Sequence, residues 1–211
     1  MHQKKIINGG KELHKDSKVL IMLHGRGGSA EDILSLSSYL HVADFSLLAP
    51  QATNHSWYPH SFLSPPAQNE PWLSSSLQLI KEMVDDLYTE GISSEQIYFL
   101  GFSQGACLTL EFVTRHATRF GGVVAFTGGL IGDKIYQENY KGDFANTPVF
   151  IGTSDPDPHV PVERVNATTS ILKTMNAVVT EKVYTNMGHT ISQDEIDNAN
   201  KLVFNKEPQK S

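Results

Sequence analysis

Five nearly continuous apolar runs, separated by segments with helical periodicity, restrict the fold of this chain more than any other feature. The runs lie at 18–24, 45–50, 96–102, 122–128 and 147–153, and a more polar sixth run follows at 177–185. Strands that are apolar on both sides are typical of parallel sheets, because helices cover both faces of such sheets. The sequence therefore predicts an α/β fold with a mostly parallel central sheet and helices on both faces.

Helix start signals lie between these runs. Ser29 with Asp32 marks one start, and Ser192 with Glu195 has the spacing of a capping box. Three more helices are predicted in the segment that ends at Gly91, after Ser103, and from Pro161 onward. Ahead of the sheet, KKIINGGKEL predicts a short N-terminal hairpin, because Asn8-Gly9-Gly10 can adopt the positive φ angles of a tight turn.

Length and composition indicate one soluble globular unit. The 211 residues suit a single domain over 1–211, and no stretch reaches the roughly 18 consecutive apolar residues of a membrane helix. The basic start lacks an apolar signal segment, and the single cysteine, Cys107, fits a reducing compartment. We therefore expect a cytoplasmic protein. The net charge of −6 argues against a nucleic-acid partner.

One segment, residues 50–75, has five prolines and no periodicity. Structureless loops longer than about 12 residues are often functional, and this one is rich in aromatic side chains. It is either the wall of a substrate pocket, the interpretation we favour, or a surface loop fixed by its own aromatics. The predicted pocket residues are Trp57, Tyr58, Phe62, Trp72 and, further along the chain, Leu130. Such an apolar lining favours uncharged acyl chains of short to medium length.

Gly101-Phe102-Ser103-Gln104-Gly105 is a GxSxG motif at a predicted strand-to-helix junction. This is the context of a nucleophile elbow, in which a sharp turn exposes the serine hydroxyl above the sheet. The alternative is a glycine-rich turn in which Ser103 only caps the helix. Cys107, one helical turn further on, is interpreted as a small buried hydrophobe.

Acyl transfer also needs donors for the developing oxyanion. One is predicted to be the backbone N–H of Gln104, and the second that of Arg26 in the glycine-rich loop HGRGG at 24–28. The alternative, a phosphate-binding loop, lacks the required glycine spacing. His24 is interpreted as structural, holding the loop by a hydrogen bond.

Among the nine histidines, His189 best fits a general base, because it follows the last predicted strand and precedes a capped helix. The acid should lie in GTSDPDPHVP at 152–161, which offers Asp155 and Asp157. We prefer Asp157, although counting from Gly152 favours Asp155. No HExxH or CxxC spacing is present, so no metal site is predicted.

LHGRGG, GFSQGA, DPHVP and MGH, in this order, resemble the phospholipase/carboxylesterase family of α/β-hydrolases, which includes acyl-protein thioesterases. The resemblance implies an α/β-hydrolase fold and a serine esterase that needs no cofactor. It also implies that Ser103, Asp157 and His189 act as the triad on a small-molecule ester or thioester. The loop HGRGG departs from the HGLGD that is common in the family.

Two other kinds of function are compatible with the same sequence features. The same three residues could serve a lysophospholipase or a dienelactone-hydrolase-like enzyme. The scaffold could also be a ligand-binding module without activity, since a fold does not determine function.

Overall fold

A computed structural model describes residues 1–204 of the chain. Its centre is a seven-stranded sheet with the order β1-β3-β2-β4-β5-β6-β7. The strands are β1 Ile6–Gly10, β2 Lys18–Leu23, β3 Phe45–Pro50, β4 Ile97–Phe102, β5 Gly122–Phe126, β6 Pro148–Asp155 and β7 Val178–Thr185. All neighbours are parallel except β1 and β3. The six predicted runs are all strands, and the predicted α/β fold is confirmed.

The helices form two layers, one on each face of the sheet. They are α1 Ala30–Ser35, α2 Trp72–Thr89, α3 Gln104–Arg115, α4 Val162–Thr174 and α5 Gln193–Ala199, which a π-helical turn, Asn200–Phe204, continues. The core between sheet and helices is divided accordingly. Residues of α2, α3 and α4 pack on one face, and those of α1, α5 and the π-helical turn pack on the other.

Both predicted helix starts are capped by side chains. Ser29 accepts a hydrogen bond from the Asp32 N–H at the start of α1, and the Asp32 carboxylate accepts one from the Ser29 N–H. Ser192 and Glu195 make the same reciprocal pair at the start of α5. Each pair satisfies two N–H groups that the first helical turn leaves unpaired.

The predicted N-terminal hairpin is wrong. β1 runs straight through Asn8 and Gly9 and pairs antiparallel with β3, from Ile6 opposite Pro50 to Gly10 opposite Ser46. A two-residue hairpin turn needs a positive φ at one or both central residues, and only Gly10 has one, at 67°. There a side chain would lie 2.3 Å from the Phe45 carbonyl oxygen, so glycine is needed for close approach to β3.

The single-domain prediction extends to residue 211, and its last part, 205–211, lies outside the described residues. Across residues 1–204 no helix is both long enough and apolar enough to cross a membrane.

Candidate active site

Ser103 occupies the turn between β4 and α3, in a strained backbone conformation. Its φ is 54° and its ψ is −118°, a region that non-glycine residues enter at a cost of about 1–3 kcal/mol. A hydrogen bond of 2.9 Å from its N–H to the Phe126 carbonyl on β5 holds the turn. Such strain is found at functional sites more often than elsewhere.

The two glycines of the motif make this turn sterically possible. A Cβ at Gly101 would lie 2.4 Å from the Gly105 carbonyl oxygen, and one at Gly105 would lie 2.2 Å from the Leu23 carbonyl oxygen. Real Cβ atoms essentially never approach that closely. The start of α3 therefore packs directly against the ends of β2 and β4.

Three side chains from three separate loops form one hydrogen-bonded chain. His189 Nε2 lies 2.8 Å from Ser103 Oγ, and His189 Nδ1 lies 2.8 Å from Asp157 Oδ2. Because a carboxylate only accepts, Nδ1 carries the proton and Nε2 is free to accept the serine hydroxyl. This tautomer is the one that a general base needs.

The carboxylate of Asp157 is fully buried behind His189. Its Oδ1 accepts two backbone N–H bonds of 2.8 Å, from His159 and Val160. Burial alone would raise the pKa of this carboxyl, but these N–H groups and the His189 ring together hold it below its usual value. Asp157 is therefore ionised at neutral pH and oriented by three donors.

Of the two candidate acids, Asp157 is the one that contacts His189. Asp155 is the last residue of β6, is exposed, and uses its backbone carbonyl to accept the N–H of Asn186 at 3.0 Å. That bond continues the β6–β7 ladder, which places the loops after these two strands side by side. Ser154 connects the same loops, since its hydroxyl accepts the Gly188 N–H at 2.9 Å.

The two predicted oxyanion donors line the same cavity as Ser103. Gln104 is the first residue of α3 and Arg26 follows β2. In the part of the chain that the structure describes, the backbone N–H of Arg26 has no acceptor and that of Gln104 is one of the free N–H groups of a helix start. Both N–H groups are therefore free to donate to a ligand.

His24 holds the glycine-rich loop, as predicted. The ring is buried, with Nδ1 donating to the Gly25 carbonyl at 2.7 Å and Nε2 accepting the Ala52 N–H at 3.1 Å. Burial lowers the pKa of His24, which favours the neutral ring that this bonding pattern requires.

A cavity of about 530 Å³ opens beside Ser103. Tyr58 and Phe62 line it, and so do Pro59, His60 and Ser61 between them. The predicted pocket wall is therefore formed by residues 58–62, a short part of the segment 50–75. The rest of that segment makes two short 3-10 turns, and α2 already begins at Trp72.

Three predicted pocket residues lie elsewhere. Trp57 is completely buried in the core, where its Nε1–H donates to the His24 carbonyl at 2.8 Å. Leu130 is completely buried as well, and Trp72 borders a separate depression on the other side of Tyr58 and Pro59. These aromatic and aliphatic side chains anchor the loop or fill the core, because burying them from water is worth more than exposing them in a polar cavity.

The side chain of Gln104 has a structural role that the sequence analysis missed. Its Oε1 accepts the Trp57 N–H at 2.9 Å, and its Nε2 donates to the Tyr58 carbonyl at 2.8 Å. One residue thus connects the serine turn to the pocket wall. No local pattern predicts this contact, since the partners are 46 and 47 residues apart.

Cys107 lines the cavity although it is buried. This agrees with its interpretation as a small buried hydrophobe, and burial raises the pKa of its thiol to about 12, which keeps the thiol neutral. Its position one turn after Ser103 places it on the same helix face, a signal that the spacing carries. Within residues 1–204, no group of three or more His, Cys, Asp or Glu side chains is placed to hold a metal ion.

The known proteins that this chain is similar to include carboxylesterases and thioesterases. The family model described as Phospholipase/Carboxylesterase matches residues 2–204. A probable carboxylesterase of Oryza sativa subsp. japonica is 26% identical over 201 residues, covering 86% of this chain and 75% of its own. Acyl-protein thioesterase 1 of Kluyveromyces lactis is 29% identical over 166 residues, covering 69% and 72%.

Solved structures agree with this assignment. The crystal structure of a phospholipase/carboxylesterase from Dyadobacter fermentans has a TM-score of 0.95 and 53% identity, covering 97% of this chain and 98% of its own. Arabidopsis thaliana SOBER1, at 21% identity and a TM-score of 0.75 over 89% and 98% of the two chains, shares the fold. The chain therefore belongs to the phospholipase/carboxylesterase family of carboxylic ester hydrolases.

Proposed function

We propose that the protein is a cytoplasmic serine esterase that hydrolyses small to medium carboxylic esters or thioesters through an acyl-enzyme. The observation that carries the proposal is the chain of two 2.8 Å hydrogen bonds from Ser103 through His189 to the buried Asp157. The activity of the relatives, named as carboxylesterases and acyl-protein thioesterases, supports the same class of substrate.

In the first half-reaction, Ser103 Oγ attacks the acyl carbon while its proton passes to His189 Nε2. The ring becomes a cation, and the ionised Asp157 beside Nδ1 stabilises it. His189 then gives the proton to the leaving alkoxide or thiolate. The acyl group remains on Ser103 Oγ as an ester.

The second half-reaction repeats these steps with water. His189 Nε2 takes a proton from a water molecule that attacks the acyl-enzyme, and the same proton returns to Ser103 Oγ as the bond breaks. The carboxylic acid leaves. In both halves, the N–H groups of Arg26 and Gln104 donate to the carbonyl oxygen as it gains negative charge, and one such donor is worth roughly 3 kcal/mol in other serine hydrolases.

The size of the substrate is limited by the cavity of about 530 Å³. The expectation that the acyl chains are uncharged rested on an apolar lining, and three of the five side chains named for it lie outside the cavity. The lining therefore does not restrict the substrate to uncharged acyl chains.

The test is hydrolysis of 4-nitrophenyl butyrate by the wild type and by Ser103→Ala. We expect kcat to fall by on the order of 10⁶, as when the nucleophile of other serine hydrolases is removed. Ser170→Ala is a matched control, because Ser170 is exposed on α4 and its hydroxyl donates to the Asn166 carbonyl one helical turn earlier. Wild-type activity in Ser103→Ala would overturn the proposal.

A further inference from the structure

Arg26 places a positive charge at the cavity beside Ser103, although the chain carries a net charge of −6. His60, His159 and His189 line the cavity as well, and no described lining residue is an aspartate or glutamate. An excess of one charge sign around a cavity concentrates the field there and attracts ligands of the opposite sign.

Arg26 is the fixed charge of this group, and its guanidinium is held by neutral partners. Nη1 donates to Ser56 Oγ at 3.0 Å and to the Pro59 carbonyl at 2.9 Å. Nη2 donates to the His60 carbonyl at 2.7 Å. Carbonyl and hydroxyl oxygens orient the group without neutralising it, so the positive charge stays at the cavity.

No carboxylate within residues 1–204 forms an ion pair with Arg26. The two buried carboxylates in this region are occupied, since Asp157 faces His189 and Glu111 pairs with Arg115 at 2.7 Å. Two of the five guanidinium N–H groups also lack an acceptor in the described chain.

We propose that the Arg26 side chain forms an anion subsite, and that the enzyme prefers esters or thioesters whose acyl or alcohol part carries a second, free carboxylate. This inference rests on the proposed function and specifies its substrate class. A single guanidinium with two free N–H groups matches a singly charged carboxylate, which it can bind through both oxygens. A dianionic phosphate would need further cationic or backbone donors, and the lining formed by residues 1–204 includes no lysine and no second arginine.

Arg26 thereby combines two functions on one residue. Its backbone N–H is a proposed oxyanion donor, and its side chain both fixes the wall at Pro59 and His60 and attracts the substrate. Any substitution at this position also loosens the wall. A test must therefore compare two substrates on each variant, because the loss of the wall contacts affects both substrates alike and cancels in their ratio.

The probes are the mono-4-nitrophenyl ester of adipic acid, which ends in a carboxylate, and the corresponding adipamic acid ester, which ends in a neutral amide of nearly the same shape. For the wild type, we expect kcat/KM to be on the order of tenfold higher for the acid, the effect of a charge-assisted hydrogen bond at a partly exposed site. Spontaneous hydrolysis of each ester is subtracted.

In Arg26→Gln the ratio is expected to fall to about one, and Arg26→Lys should retain part of it because the charge remains. Arg119→Gln is the matched control. It removes one positive charge from a half-buried side chain that does not line the cavity and that donates to the Ala145 carbonyl at 3.3 Å, so it should keep the wild-type ratio. A wild-type ratio of one or less, or the same ratio in wild type and Arg26→Gln, would overturn the proposal.

A measurement on the wild type alone covers the case in which Arg26→Gln does not fold. Raising the ionic strength from about 0.02 M to about 0.5 M should lower kcat/KM for the adipic ester several-fold and leave the adipamic ester nearly unchanged. Equal salt dependence for both esters contradicts an anion subsite. Failure to hydrolyse either ester would instead count against the esterase function itself.

Discussion

The loops at the carboxyl edge of the sheet and the pocket wall at 58–62 meet at one cavity, but different forces hold them. At the sheet edge, Gly101 and Gly105 allow the backbone of α3 to pack directly against β2 and β4. The ends of β4, β6 and β7 place Ser103, Asp157 and His189. The pocket wall has no regular strand or helix, and side chains from distant segments, chiefly Arg26 and Gln104, bind its backbone.

This difference explains which features of the site can be predicted from the sequence. Strand ends and steric needs leave local signals, so the GxSxG turn, the strands and the order of the reactive residues could be read from the chain. Polar contacts between residues about 30 to 50 positions apart leave no such signal. For that reason Trp57 and Leu130 were assigned to the pocket on their apolar character, although both are core residues.

The loop at 152–161, which carries the acid, is only partly predictable from the sequence. The sequence narrowed the acid to Asp155 or Asp157, but the choice depends on where β6 ends and on two backbone N–H groups that point at Asp157. Sequence locates the end of a strand only to within about two to four residues. Two acids separated by a single proline fall within that uncertainty.

The largest effect is expected at the sheet edge, for Asp157→Asn. The amide cannot hold His189 in the required tautomer or stabilise its cation, so kcat for 4-nitrophenyl butyrate should fall by on the order of 10⁴. Asp155→Asn, two residues away and exposed, is the matched control and should lose far less. The reverse ranking would show that the acid is misassigned.

The second largest effect is expected for the close backbone packing at the serine turn. In Gly105→Ala the new Cβ meets the Leu23 and His24 carbonyl oxygens at 2.2 and 2.5 Å, so the start of α3 must move away from the end of β2. We expect a loss of about 3 kcal/mol in the free energy of unfolding by urea, together with most of the activity.

Gly9→Ala serves as the control for that substitution, because the nearest atom to its Cβ lies 3.6 Å away and the strand geometry suits alanine. Its free energy of unfolding should stay within about 1 kcal/mol of the wild type. If the two variants were equally stable, close backbone contact would not be what fixes the serine turn.

A smaller effect is expected at the pocket wall, for Gln104→Ala. The substitution leaves the buried Trp57 N–H without an acceptor, at a cost of about 2 kcal/mol, but it keeps the backbone N–H beside Ser103. We therefore expect KM for 4-nitrophenyl butyrate to rise several-fold, with a smaller change in kcat. Gln68→Ala, at an exposed position on the same segment, should behave like the wild type, and equal KM values in the two variants would contradict the anchoring role.

The smallest effect is expected in the pH dependence of the free energy of unfolding. Because the folded state lowers the pKa of Asp157 below its usual 3.8, the ionised carboxylate stabilises the fold above that value and loses this contribution as the pH falls through the folded pKa. The stability difference between wild type and Asp157→Asn in urea should narrow as the pH falls below about pH 4. Asp155→Asn, measured in parallel, corrects for the general loss of one carboxyl. A difference that does not narrow below about pH 4 would mean that the carboxylate is not stabilised as described.

If His189, held by Asp157, activates Ser103, a fluorophosphonate should label that serine covalently. Intact-mass spectrometry with peptide mapping should show one adduct per wild-type chain, on Ser103, and none in Ser103→Ala or His189→Ala under the same conditions. An adduct on another residue, or labelling of His189→Ala at the wild-type rate, would contradict it.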